Sequence, residues 1–249
     1  MRKTLLSLAL VAASSFAVQA QALTTGDIAF TSFNADDDGW AMVTFSDIAA
    51  NTTVYFSDNE WNGSAFVDSN EHALVWNTGA AAITAGSVVV FTEIDASPNV
   101  INASVGTLAL AGVGGSNLGL SKDNETFYAF LGTSGIAPTT FLTAISTNAD
   151  ANPQHVTSAG LTFGTNAIAL VPDADFGEYT GARSGLTTLA AYKSMVHDNA
   201  NWNDVGSGEF TGATLDNTAF TVAVPEPETY ALMLAGLGLV GFMARRRKA

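Results

Sequence analysis

The sequence predicts an all-β fold, an antiparallel β-sandwich that carries one short helix. Short runs of β-branched and aromatic residues recur between clusters of Gly, Asn, Asp and Thr, as strands do between turns. Helical periodicity is confined to one internal segment, and no repeat with a period of about 20 to 50 residues is present. Both observations favour a sandwich over a parallel α/β fold or a solenoid.

Eight segments have the composition of strands, and two of them show which residues we expect in the core. They are residues 27–33, 40–45, 53–57, 73–76, 87–92, 127–131, 140–145 and 167–171. In the third segment Val54 and Phe56 alternate with Tyr55, as in a strand with one apolar face. We expect Trp40 and Trp76 to be buried, because a tryptophan inside a sandwich strand more often belongs to the core.

A single segment has helical spacing. Apolar residues from Leu186 to Val196 recur at intervals near 3.6 residues, which predicts a short helix over one edge or end of the sheets. Ser184 or Thr187 is expected to cap its beginning, and the pair Asp198 and Asn199 to end it.

Charge and cysteine content exclude several classes of function. Between residues 23 and 223 the chain has three basic residues (Lys122, Arg183 and Lys193) against 21 acidic ones, a formal charge of −18. Such a surface repels nucleic acids and anionic lipids, so no nucleic acid partner is expected. Because cysteine is absent, disulfides, thiolate nucleophiles and cysteine metal sites are excluded. We predict one domain, residues 23–222, since no linker divides it.

The N-terminal residues 1–22 have the order of a secretory signal peptide. Arg2 and Lys3 precede an apolar stretch from Leu5 to Val18, and small residues follow at Ala20 and Ala22. Cleavage after either alanine fits this order equally well. The sequence therefore predicts export, and a retained N-terminal anchor is the alternative.

The C-terminal residues 223–249 combine a proline motif, an apolar run and a basic cluster. Two prolines within three residues form a stiff extended spacer. The uncharged run from Tyr230 to Met243 follows, and it predicts a transmembrane helix over residues 229–244. The motif consists of Val224, Pro225, Glu226 and Pro227, and the stop-transfer cluster of Arg245, Arg246, Arg247 and Lys248. As a helix the uncharged run is only about 21 Å long, against roughly 30 Å of hydrocarbon, which favours a transient span.

This arrangement resembles the PEP-CTERM sorting signal of Gram-negative bacteria. The resemblance implies processing near the proline motif by exosortase, a transpeptidase-like membrane enzyme, and association with the cell envelope or exopolysaccharide export. It also implies an inner-membrane-tethered precursor and a mature form at the envelope, surface or extracellular matrix. An ordinary C-terminal anchor without processing is the alternative.

Three phrases resemble secreted bacterial domains related to the lamin tail, which have an Ig-like sandwich fold. They lie at residues 26–30, 48–61 and 199–202. Domains of that group are often fused to extracellular nucleases, but no nuclease module accompanies this one. The resemblance implies an Ig-like fold and transfers no activity.

An acidic turn is a candidate calcium site. Asn34, Asp36 and Asp38 place oxygen ligands at positions one, three and five of a loop with glycine at six, as in the first half of a Ca²⁺ loop. Position twelve is Phe45 instead of glutamate, which excludes an EF-hand. A β-hairpin turn that is acidic without binding metal is the competing interpretation.

A second polar loop is a candidate glycan site. Asp58 and Glu60 flank Trp61, which lies among turn residues and is the tryptophan expected to be exposed for stacking on sugar rings. Asp68 and Glu71 follow downstream and are expected to join this loop, where they would complete a cation site or frame the platform.

No catalytic constellation is recognisable. The three histidines lack close metal-ligand spacing, and neither H-E-x-x-H nor G-x-S-x-G occurs. The main hypothesis is therefore a non-enzymatic exported envelope or matrix protein. A Ca²⁺-assisted glycan-binding module and a secreted hydrolase, with acids brought together by the fold, are the alternatives.

Overall fold

The computed structural model describes residues 22–68, 70–92, 101–115, 119–224 and 227–246. The predicted signal peptide therefore lies almost entirely outside the described residues. Five residues of the predicted sorting signal also lie outside them, namely Pro225, Glu226, Arg247, Lys248 and Ala249.

Within the described residues the chain forms twelve strands, two short α-helices, one 3₁₀ turn and a C-terminal helix. The strands are β1 Ile28–Asn34, β2 Gly39–Thr44, β3 Thr53–Ser57, β4 His72–Asn77, β5 Val88–Thr92, β6 Asn102–Ala103, β7 Thr107–Gly114, β8 Thr126–Ser134, β9 Ala137–Ser146, β10 Ala167–Ala169, β11 Phe176–Tyr179 and β12 Trp202–Val205. The helices are α1 Pro153–Ser158, α2 Leu189–Val196, the 3₁₀ turn Asn199–Asn201 and α3 Pro227–Arg246.

The strands form two six-stranded sheets. The first sheet has the order β12-β11-β1-β2-β5-β6, and the second has the order β10-β9-β8-β3-β4-β7. Every strand pair is antiparallel except β9 and β10, which run parallel. The fold therefore agrees with the predicted all-β sandwich and corrects the prediction that it is wholly antiparallel. The connection between β9 and β10 contains α1, which the sequence analysis missed, and is long enough to return the chain in the same direction.

Aromatic rings from both sheets meet in the core. Trp40 on β2 stacks on Phe91 of β5 at 4.9 Å between ring centroids. Its edges contact Phe56 of β3 at 5.1 Å and Phe127 of β8 at 4.8 Å. Trp40 and Trp76 are both buried, which confirms their predicted place in the core. Each such side chain removes a large apolar area from water, and this removal holds the sheets together.

Strands β1 and β2 are buried on both faces. All their residues are buried, whereas β3 alternates, with Val54 and Phe56 buried and Tyr55 half-buried. The outer face of the first sheet is covered by α2, which packs against β1, and by the long segment after β12. Asn34 at the end of β1, for example, donates from Nδ2 to the Phe210 carbonyl of that segment at 3.2 Å.

The predicted internal helix begins later than expected. It starts at Leu189 instead of Leu186, because the Thr188 hydroxyl accepts a hydrogen bond from the Ala191 N–H and acts as the N-cap. Neither predicted cap, Ser184 or Thr187, has this role. A short polar side chain at the residue before the first helical turn satisfies an otherwise free donor.

The C-terminal segment forms the predicted helix, α3. Among the residues described, none of the helices combines the length and apolar content that crossing a bilayer requires. The expectation that residues 229–244 form a transmembrane helix is therefore not supported. The helix α3 has 20 residues, but its uncharged run from Tyr230 to Met243 is only about 21 Å long, compared with a hydrocarbon layer of roughly 30 Å.

Candidate functional site

The folded domain holds the chain by backbone hydrogen bonds up to Ala223. The Phe220 N–H donates to the Gly86 carbonyl at 2.7 Å, and the Ala223 N–H donates to the Leu186 carbonyl at 2.7 Å. Phe220 itself is only 3% exposed. The side chains after Phe220 are exposed, and Val224 is 76% exposed. The last of these backbone hydrogen bonds is made by Ala223, directly before the predicted sorting motif.

The Arg183 side chain connects the segment before Ala223 to the rest of the domain. Its Nη1 donates to the Thr218 carbonyl at 3.0 Å and its Nη2 to the Tyr179 carbonyl at 3.4 Å. Its Nε lies 3.1 Å from Oδ2 of Asp216. The guanidinium also lies over the ring of Phe220, 5.0 Å from the centroid. Arg183 is only 8% exposed. The hydrogen bonds, the ion pair and the aromatic face together compensate the buried positive charge of its guanidinium.

The helix α2 contributes a second link to the same segment. The Tyr192 hydroxyl donates to the Thr221 carbonyl at 2.8 Å and accepts from the Leu186 N–H at 2.8 Å. The Thr221 N–H donates to the Arg183 carbonyl at 2.8 Å, and Ser184 and Thr221 form an isolated parallel bridge. We name residues 215–223, with these contacts, the terminal clamp.

Beyond the clamp the structure describes only part of the predicted sorting signal. Val224 is exposed, and Pro227 begins α3. Arg245 and Arg246 lie in the last turn of that helix, where positive charge is favourable because the helix dipole is negative there.

The acidic turn between β1 and β2 uses its carboxylates to bind other parts of the chain. The Asn34 Oδ1 accepts from the Asp36 N–H at 3.0 Å. The Asp36 Oδ2 accepts from the Phe210 N–H at 2.6 Å, and the Asp38 Oδ1 accepts from the Leu120 N–H at 2.6 Å. Across the described residues, no three His, Cys, Asp or Glu side chains are arranged to hold a metal ion. The turn is thus a hairpin turn with protein donors, and Ca²⁺ binding by Asn34, Asp36 and Asp38 stays a prediction.

Trp61 is half-buried and is not the fully exposed platform that the sequence suggested. Its ring packs edge-to-face against Phe66 at 5.2 Å and Phe141 at 5.2 Å. The backbone pairs Trp61 with Phe66 in an isolated antiparallel bridge, which folds the loop onto the second sheet. Glu60 beside it is half-buried as well, and Asp58 is buried. The ligand-binding role of these three residues stays a prediction.

The fold brings Asp58 together with Glu71 and Glu125, and we name these three the carboxyl cluster. β3 pairs with both β4 and β8 in antiparallel register, so the end of β3 lies beside the beginnings of β4 and β8. Asp58 follows β3, Glu71 precedes β4 and Glu125 precedes β8. The sequence predicted that Asp58 and Glu71 belong to one site but gave no sign of Glu125, because the place of Glu125 depends on the pairing of β3 with β8.

Burial dominates the protonation of Asp58. The side chain is 6% exposed, and its Oδ1 has no hydrogen-bond partner among the residues that the structure describes. Burial raises the pKa of Asp58 well above its ordinary value, and the negative charges of Glu125 and Glu71 raise it further. A neutral carboxyl avoids leaving an uncompensated charge in a low-dielectric site.

Glu125 behaves in the same way although it accepts two backbone hydrogen bonds. Burial raises the pKa of Glu125 from 4.5 to about 8, and the charges of Glu71 and Glu60 act in the same direction. The N–H groups of Ser121 and Thr126 donate to its two oxygens at 3.1 and 3.0 Å and lower the pKa in part. The cluster can therefore hold a proton at neutral pH. Glu125 is only 7% exposed, so the folded domain does not present this carboxyl to a substrate.

A separate cavity lies on the first sheet. It has a volume of about 360 Å³ and lies between β5 and residues 212–217, with Val90, Thr92 and Leu215 in its wall and Asp37 as its carboxylate. The cavity does not include any residue of the carboxyl cluster. The perturbed carboxyls and the cavity are thus different places in the fold.

Comparison with known proteins finds one similarity, at the C-terminal end. A family model described as the PEP-CTERM protein-sorting motif matches residues 223–248. Neither the curated proteins nor the solved structures contain a match to the chain, so the lamin-tail-like resemblance stays a prediction. The matched motif begins at Ala223, the last residue that the clamp holds. This motif indicates an exported protein that an exosortase-type membrane enzyme processes.

Proposed function

We propose that this chain is a non-enzymatic exported protein of the cell envelope or extracellular matrix, which exosortase separates from its C-terminal segment. The observation that carries this proposal is the position of the motif. The sorting residues begin where the last backbone hydrogen bond of the domain ends, and Val224 is exposed there. An enzyme can thus reach the motif without unfolding the domain.

The surface charge supports a role outside the cell. With three basic and 21 acidic residues between residues 23 and 223, the domain stays soluble by mutual repulsion. It is also compatible with neutral glycans and cationic partners more than with nucleic acid. We propose exopolysaccharide as the surrounding material of the mature protein.

Replacing the motif tests the sorting role. The native chain and one variant are expressed in a bacterium that contains exosortase. The variant has alanine in place of Pro225, Glu226 and Pro227. The fractions are compared by intact mass. We expect the native chain to lose its C-terminal segment and to leave the membrane fraction, and the variant to keep full length. Equal mass and equal location for the two chains would contradict the proposal. A variant with Glu209→Gln, an exposed acid in another part of the chain, is the control for charge.

A second candidate function is Ca²⁺-assisted glycan binding near Trp61. The supporting observation is that the ring remains half-exposed beside the polar residues Glu60 and Asn62, an arrangement that suits stacking on a sugar. Pull-down on exopolysaccharide compares the native protein with Trp61→Ala, each with and without a chelator. The control is Val67→Ala, an exposed apolar residue of the same loop. Equal retention in all samples would remove this candidate.

A further inference from the structure

The terminal clamp has a consequence for processing that follows from its hydrogen bonds. A processing enzyme binds its substrate as an extended segment, so the peptide bonds it cuts must be free of structure on both sides. Residues 220, 221 and 223 are held by backbone hydrogen bonds of 2.7, 2.8 and 2.7 Å. The bonds between residues 220 and 223 become accessible only when this segment detaches from the domain.

Arg183 is the side chain that holds this segment most directly. It connects to Thr218 and Asp216 on one side of Phe220, and its backbone carbonyl accepts from Thr221 on the other. The guanidinium lies over the Phe220 ring. No sequence pattern singled out Arg183, since it lies outside both targeting segments.

We propose that Arg183 is a positioning residue for processing, which holds the chain through Ala223 and thereby confines cleavage to the peptide bonds that follow Ala223. This inference rests on the proposed function. In the reaction one peptide bond breaks. Its carbonyl carbon passes to water, or to an acceptor amine when the enzyme transfers the chain, and the nitrogen leaves as the new amino terminus of the released segment.

The folded domain then sets the position along the chain before which the processing enzyme cannot cut. Each backbone hydrogen bond has a net value of about 1 kcal/mol, so the three together reduce the population of the detached segment by about 100-fold. Cleavage of the peptide bonds up to residue 223 is suppressed by about that factor. Loss of the Arg183 side chain removes its contacts with Thr218, Asp216 and the Phe220 ring, while the backbone carbonyl at position 183 still accepts from Thr221. We therefore expect its replacement to release upstream cleavage sites and to leave the motif itself intact.

The test measures the position of the new C-terminus by intact mass in the exported protein. The native chain is compared with Arg183→Met, with Asp216→Asn, and with the control Lys122→Met. Lys122 forms an ion pair with Asp175 at 3.6 Å in another part of the fold. The variant Lys122→Met therefore removes one positive charge and leaves the contacts of the terminal clamp unchanged. Circular dichroism of each purified product establishes that the domain is folded.

The native chain and Lys122→Met are expected to yield a single C-terminus at Ala223 or later. Arg183→Met is expected to add products that end between residues 217 and 222. If Arg183→Met does not accumulate, Asp216→Asn supplies the same test, because that partly exposed side chain can change without loss of the fold. A native product that ends before Ala223, or folded clamp variants with an unchanged single C-terminus, would overturn the inference. Chains that all retain the C-terminal segment would instead refute the proposed sorting function.

Discussion

The stability of the folded domain should fall as the pH rises from 6.5 to 8, because Glu125 is buried as a neutral carboxyl. In the folded state Glu125 keeps its proton up to about pH 8, and in the unfolded chain it ionises near 4.5. Between these values the folded state binds one more proton than the unfolded state. The free energy of unfolding therefore decreases with pH in this interval. Asp58, whose pKa is also raised, acts in the same direction.

His197 has the opposite effect below pH 6.5. Burial lowers the pKa of His197 from 6.5 to about 4, so between these values the unfolded state binds the additional proton. Stability then rises with pH and offsets the decrease from Glu125. As the pH rises above 6.5 the histidine of the unfolded chain also becomes neutral, its offsetting contribution ends within about one pH unit, and the decrease from Glu125 remains. A shifted group changes stability by about 1.4 kcal/mol per pH unit, so Glu125 lowers it by about 2 kcal/mol between pH 6.5 and 8.

The assay is urea unfolding of the exported form, followed by tryptophan fluorescence at four pH values between 6.5 and 8 and constant ionic strength. The variant Glu71→Gln removes a negative charge that raises the pKa of Glu125 and of Asp58. We expect this variant to show a shallower decrease that is complete at lower pH. The control Glu209→Gln, an exposed acid, should follow the native curve. A native stability that is constant or rising over this interval would refute the reasoning.

Four further substitutions test the packing and the turns. Trp40→Ala should lower the free energy of unfolding by about 3–5 kcal/mol, because a ring shared by both sheets is replaced by a cavity, and urea unfolding measures this loss. Thr188→Ala should lower the free energy of unfolding by about 1 kcal/mol because α2 loses its N-cap, whereas Thr187→Ala should leave it almost unchanged. Equal losses for the two variants would show that α2 is capped differently. Asp36→Ala should cost about 1 kcal/mol, since the Phe210 N–H loses its acceptor, and thermal unfolding that matches the native protein would contradict this.

Much of the sandwich could be predicted from local composition. The strand predicted at residues 53–57 is β3, and the other seven predicted strands overlap observed ones. The strand β7, Thr107–Gly114, was missed because its alanines and glycines lack β propensity, and it depends on pairing with β4. The short helix α1 was missed as well, since only six residues give no periodic signal.

Among the candidate sites, too, the features that depend on neighbouring residues could be predicted and those that depend on distant contacts could not. The sorting motif was predictable because its parts are contiguous and their order carries the chemistry, and the matched family model covers the same residues. Trp61 was expected to be exposed among turn residues, but its contact with Phe141 of β9 half-buries it. A contact between segments distant in sequence leaves no local pattern, so exposure could not be predicted there.

The sequence by itself determined that the chain has strands with apolar faces and a segment with the order of an export signal, because these properties depend on neighbouring residues. Only the tertiary structure decided that Glu125 lies with Asp58 and Glu71 and that Arg183 holds the terminal clamp. The pairing of β3 with β8 and the burial of Phe220 bring together groups that are far apart along the chain. Burial and proximity then set their charge and their contacts, and neither quantity exists until the chain has folded.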